Sequence, residues 1–159
     1  MSVQKPPFFH LFMATGFGSG FSPVAPGTAG ALLAVLLWIA GYFLLPFGIL
    51  QTVLAVAIVY FTVQGIYSSA VMEKYWGEDP SRVVIDEMVG VWIPLLVVPD
   101  GGWWYVVAAF ALFRFFDIVK PLGVRRMERF RGGVGIMMDD ILAGIYSAIL
   151  LGIILLSIE

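Results

Sequence analysis

The stretch Phe113–Gly133, FRFFDIVKPLGVRRMERFRGG, decides the fold. Its first part, through Val119, closes an apolar run that begins at Trp103, yet it carries Arg114 and Asp117 and leads straight into Lys120. Five Lys or Arg residues then fall between Lys120 and Arg131. An apolar run that ends in a basic loop reads as a membrane span reaching the cytoplasmic face, because Lys and Arg accumulate in the loops that stay inside. Pro121 restricts Lys120 and ends the helix at that point.

The rest of the chain extends this reading. Of 159 residues, 60% are hydrophobic and 13% charged, and the mean hydropathy is +0.96. Soluble domains carry roughly 25% charged residues. The class is therefore all-α: a polytopic membrane helix bundle, one integral-membrane domain over 1–159, preceded by a glycine-rich N-terminal cytoplasmic loop. There is no cysteine, which excludes disulfides and thiolate metal sites, and His10 is the one histidine. The net charge of −2 points to no partner by itself, and no nucleic-acid partner is expected. The N-terminus, with a single Lys, two prolines and a short apolar run, is not a signal peptide in this reading.

About five spanning helices are expected, near 29–47, 49–67, 80–98, 103–119 and 136–158. The third apolar run, Val83–Val98, is short for a span of about 17–25 residues and contains Pro94. A start at Pro80 with Asp79 as cap would lengthen it. Lys5, Lys74, Arg82 and the Lys120–Arg131 group all fall on one side of this topology, and the connections at Pro46–Gly48 and Pro99–Gly102 carry no Lys or Arg. That side is predicted to be cytoplasmic.

The same topology gathers carboxylates. Asp86 and Glu87 fall near the cytoplasmic start of the third span, Asp117 at the end of the fourth, and Asp139 and Asp140 at the start of the fifth. Carboxylates at membrane depth are costly unless paired, hydrated or metal-bound, and five that converge point to a hard divalent cation such as Mg²⁺. The plain alternatives are local. Arg82 and Asp86 are spaced i,i+4 and Arg114 and Asp117 i,i+3, both ion-pair spacings, while Asp139 and Asp140 would suit the positive end of a helix.

Two more features sit on the same side. In Thr15–Gly30, TGFGSGFSPVAPGTAG, glycines allow backbone N–H groups close to an anion, and Thr28 is a candidate N-cap. The alternative is a flexible entry loop; no Walker motif is present. Lys120 stands beside Asp117, where its ammonium can meet a phosphate oxygen or simply snorkel. With His10 the only histidine a two-histidine phosphohistidine route is disfavoured, no Ser-His-Asp triad can be assembled convincingly, and no DxDxT aspartyl-phosphate signature appears. What remains is metal-assisted attack by water with carboxylates as ligands and base.

Four segments, ATGFGSGFSPVAPGTAG, VVIDEMVGVW, FRFFDIVKPLGVRRMER and GVGIMMDDILAGIYS, together resemble the phosphatidylglycerophosphatase A family, from about Ala14 to Ser147. The resemblance implies a Mg²⁺-dependent bacterial inner-membrane enzyme that hydrolyses the terminal phosphate of phosphatidylglycerophosphate, with anionic lipids as partners and an active site facing the cytoplasm. It implies catalytic roles for Asp86, Asp117 and Lys120, and metal ligation by Asp86, Glu87, Asp117, Asp139 and Asp140. Phosphate contacts would come from Gly16, Gly18, Gly27, Thr28, Lys120 and Arg125. The alternatives from other classes are a small cation channel or transporter that uses the carboxylates as an ion site, and a lipid-binding scaffold. Polar groups confined to one side disfavour a conduction path.

Overall fold

The computed structural model describes residues 4–121 and 123–158, and every regular element among them is helical. The helices are α1 Phe8–Ala14, α2 Pro26–Leu44, α3 Phe47–Trp76, α4 Ile85–Leu95, α5 Trp103–Val119, α6 Val124–Met127 and α7 Gly133–Ile158, with a 3₁₀ turn at Ser19–Phe21. Three of them, α2, α3 and α7, are long and apolar enough to cross a membrane. Their outward side chains, among them Leu36, Val56, Val63, Ile149 and Ile153, are exposed aliphatics, as hydrocarbon rather than water would require.

The expected set of five similar spans gives way to an unequal bundle. α5 keeps the expected bounds, but α4 has only 11 residues, about 16 Å against the roughly 30 Å of a hydrocarbon core. It does not begin at Pro80. Asp79 takes a left-handed φ of 44° instead of capping a helix. Val83 and Val84 are buried, and the Val84 N–H donates to Ala14 O at 2.9 Å, which ties this segment to the end of α1. The helix starts only beyond that tether.

α4 also ends early, and the chain itself satisfies the end. Pro94 lies in the last turn, after which the N–H groups of Leu96 and Val97 bond three residues back, to Ile93 O and Pro94 O. Gln51 of α3 donates its Nε2 to Leu95 O at 3.1 Å. A helix end at membrane depth needs such partners because lipid offers none. Nine of the eleven α4 residues are buried, with α2, α3, α5 and α7 packed around it. The short apolar run is thus the axis of the bundle, and Trp92 on it donates its indole N–H to Ala34 O of α2 at 3.0 Å.

Other boundaries differ from expectation as well: α2 spans Pro26–Leu44 instead of 29–47, and α3 starts at Phe47 instead of Ile49. α3 runs past Tyr67 to Trp76, and α7 starts at Gly133 instead of Ile136. The chain's turns bring the starts of α2, α4 and α7 and the ends of α3 and α5 to one end of the bundle, where α1 lies along α3. At the other end, Tyr42 donates its hydroxyl to Asp100 and Trp103 packs against Tyr42 and Phe43.

Candidate active site

Close helix contact builds the site. A Cβ on Gly144 of α7 would run into Gly90 O of α4, and one on Gly90 would meet Asp140 O at 2.8 Å and the Phe113 ring. The two backbones approach because neither residue has a side chain there, the small-residue packing common between helices in lipid. Asp86 precedes Gly90 by four residues and Asp140 precedes Gly144 by four, one turn each. The glycine crossing therefore swings the two carboxylates toward each other on the same side.

Asp86, Glu87 and Asp140 each offer a carboxylate oxygen within 4.8 Å of the other two. Asp86 and Asp140 are buried and Glu87 half-buried. Asp86 Oδ1, Glu87 Oε2 and Asp140 Oδ2 have no hydrogen-bond partner among the described residues. Buried anionic oxygens without partners are expensive. An all-oxygen donor set of this kind fits a hard divalent cation.

The other two carboxylates are already paired. Asp117 adjoins Asp140, and its Oδ2 accepts from Arg114, so the i,i+3 ion pair read from the sequence forms. Asp139 accepts from Lys120 Nζ through Oδ2 at 2.7 Å and from the Asp140 N–H through Oδ1 at 3.0 Å. Lys120 also donates to Glu128 Oε1 at 2.6 Å. Partial burial works against the Lys120 charge, but the bonds to Asp139 and Glu128 outweigh it and hold its pKa above the ordinary lysine value. The other local readings do not appear. Arg82 lies over the rings of Phe21 and Trp76 and makes no ion pair among the described residues. Asp139 and Asp140 stand beyond the first turn of α7, since that helix begins at Gly133.

The glycine-rich segment differs from the expected anion cradle. The N–H groups of Gly16 and Gly18 donate to Met13 O and Thr15 Oγ1, so neither is left for a phosphate. Several of its glycines serve close packing instead. A Cβ at Gly16 would press on Met88 and Val84, one at Gly20 on Arg82 O, and one at Gly30 on Val84. The segment is a saddle under the start of α4. Thr28 is not the cap either: α2 begins at Pro26 after Ala25, and Thr28 lies inside the first turn. Gly27 sits against Glu87, whose Oε1 occupies the space that a side chain would fill. Among the described residues no acceptor is found for the N–H groups of Gly27 and Thr28, the ordinary state of a first helical turn. Arg125 is exposed on α6.

Sequence reasoning missed Glu128 and the paired glycines. The latter have a legible signal, an Asp followed four residues later by Gly in both IDEMVG and DILAG.

A family model described as phosphatidylglycerophosphatase A matches residues 12–155. A Bacteroides thetaiotaomicron protein, named provisionally as a phosphatidylinositol-3-phosphatase, is 65% identical over 153 residues, covering 95% of this chain and 96% of its own. The phosphatidylglycerophosphatase A of Escherichia coli is 41% identical over 142 residues, 88% of this chain and 79% of its own. That of Haemophilus influenzae is 42% identical over 142 residues, 88% and 84%. No solved structure matches.

Proposed function

The chain belongs to the phosphatidylglycerophosphatase A family, and on that premise we propose that it hydrolyses the terminal phosphate of phosphatidylglycerophosphate, yielding phosphatidylglycerol and inorganic phosphate. The observation that carries the reading is the group of three converging carboxylates with unpartnered oxygens, beside a lysine at the same end of an apolar bundle. Asp86, Glu87 and Asp140 would hold Mg²⁺, which when bound supplies charge neutralisation for the phosphoryl oxygens and a more acidic water.

The chain's own residues do the rest. Lys120, positioned by Asp139, binds a phosphate oxygen and meets the charge that develops on it. Asp117, anchored by Arg114 through Oδ2, takes the proton of the attacking water. As the new P–O bond forms, the bond from phosphorus to the glycerol oxygen breaks, and that oxygen takes the proton that Asp117 received from the water, which returns Asp117 to its carboxylate. The free N–H groups of Gly27 and Thr28, at the positive end of α2, are the remaining candidates for phosphate contact from the first motif, and Arg125 serves the phosphate that stays. Asp139 is assigned to Lys120 and not to the metal, because it is the lysine's buried partner and stands outside the converging group of Asp86, Glu87 and Asp140.

The basic residues lie at the end of the bundle that holds the carboxylates, which supports a cytoplasmic active site in a bacterial inner membrane. A channel has no support. Beyond Asp140 the helix α7 carries no charged residue, and neither does α4 beyond Glu87. The name of the Bacteroides relative favours a second substrate, phosphatidylinositol 3-phosphate.

Phosphate release from the purified protein tests both readings. Turnover of phosphatidylglycerophosphate should stop in EDTA and return with Mg²⁺. Undiminished turnover after complete metal removal contradicts the metal site, and faster release from phosphatidylinositol 3-phosphate reverses the substrate assignment.

A further inference from the structure

Lys120 holds two carboxylates of opposite character. Asp139 is 10% exposed in its side chain and bonded through both oxygens, so it is a fixed anchor. Glu128 is 51% exposed, and Lys120 is the one side-chain partner found for it among the described residues. It stands between α6 and α7 in a run, Glu128–Arg131, that is exposed throughout. The lysine is placed for both by its backbone. Lys120 takes a left-handed φ of 49°, uncommon for a residue with a side chain, as it closes α5 through its N–H bond to Phe116 O.

The same two carboxylates line a cavity of about 450 Å³ between the end of α3 and the start of α7. Glu73, Glu78 and Asp79 line it as well, with Arg129 and Arg131 as its basic residues; Lys120 is paired to two of its carboxylates but is not itself in the lining. The exposed side of the Lys120 ion pair is the Glu128 side. A phosphate oxygen carries more charge than a carboxylate oxygen and is the stronger acceptor for an ammonium. It can replace an exposed carboxylate at little cost, since exposed ion pairs are weak, but not the buried, doubly bonded Asp139.

We propose that Glu128 is a displaceable counter-ion that holds the Lys120 ammonium in the place of a substrate phosphate oxygen and gives it up when the lipid headgroup reaches the exposed side of the pair. The inference rests on the phosphatase reading, because it takes Lys120 as the phosphate contact. Glu128 is then a positioning residue that sets affinity for phosphomonoesters. While bound it keeps the side chain of Lys120 extended toward Asp139. In leaving, it makes the enzyme discriminate against anions too weak to displace it.

The test uses the full-length protein in mixed micelles with Mg²⁺. Glu128→Gln keeps the shape and removes the charge. It should lower KM for phosphatidylglycerophosphate and the inhibition constant of inorganic phosphate together, roughly three- to fivefold, the size expected for one exposed ion pair. The effect should sit in KM more than in kcat and shrink with added salt. Asp139→Asn should instead lower kcat. Calorimetric titration with inorganic phosphate gives a second readout that needs no turnover, and Glu128→Gln should bind it more tightly than the unmodified protein. Unchanged or weaker phosphate binding in Glu128→Gln overturns the counter-ion role. Absence of lipid turnover by the unmodified protein, with tighter phosphate binding in the variant, defeats the phosphatase reading and leaves the counter-ion in place.

Discussion

Asp86, Glu87 and Asp140 face one another with no cation in hydrogen-bond reach among the described residues. Like charges buried together destabilise a fold unless something neutralises them. Stability and activity should therefore move in opposite directions on substitution, as at other strained functional sites. Asp140→Asn should raise the melting temperature measured in EDTA, yet cut kcat on the order of 10²-fold or more with Mg²⁺ present. A fall in melting temperature in EDTA would assign Asp140 to the fold alone. Lys120→Met should also lower kcat, while Arg126→Gln on the exposed α6 should leave it near its starting value; equal effects would make Lys120 a plain interfacial anchor. The acidic residues were legible in the sequence because charges in apolar runs stand out. Their division into three that converge and two that are paired was not, since it depends on Asp139 having Lys120 within 2.7 Å across a loop. The Arg114–Asp117 pair was legible, because i,i+3 spacing on one helix fixes it locally.

Helix α4 shows what periodicity leaves out. Its apolar run reads as a span, and a buried helix and a lipid-facing helix have the same composition. Length alone separates them, and the tether of Val84 to Ala14 that shortens α4 is a contact 70 residues apart in sequence. α5, by contrast, was read with its bounds intact because Gly102 and Pro121 flank it. The α4–α7 crossing gives a sharper test of the element. Gly144→Val should force the two backbones apart, since even a Cβ would meet Gly90 O. Activity should fall at least tenfold, about the cost of displacing a positioned group by a fraction of an ångström, while the protein still inserts and purifies from membranes. Gly27→Ala should act more locally: its methyl displaces the Glu87 carboxylate, so the apparent affinity for Mg²⁺ should weaken before kcat does. Unchanged Mg²⁺ activation in Gly27→Ala would take Glu87 out of the metal site.

For the molecule as a whole, the lack of cysteine makes orientation measurable. Single substitutions Arg129→Cys and Trp104→Cys place thiols at opposite ends of the bundle. In intact cells an impermeant thiol reagent should label Trp104→Cys and spare Arg129→Cys; the reverse pattern would put the carboxylates outside. Phe8, Phe9 and Phe12 of α1 are exposed beside the end of α3, a short aromatic helix suited to lie in the headgroup layer. The enzyme and its lipid then share a plane and meet by lateral diffusion, so their encounter is two-dimensional. The quantity that sets the rate is the surface mole fraction of substrate, not its concentration in the sample volume. Adding inert detergent at fixed bulk lipid should slow turnover, and raising lipid and detergent together at fixed ratio should leave it flat once the enzyme is fully in micelles.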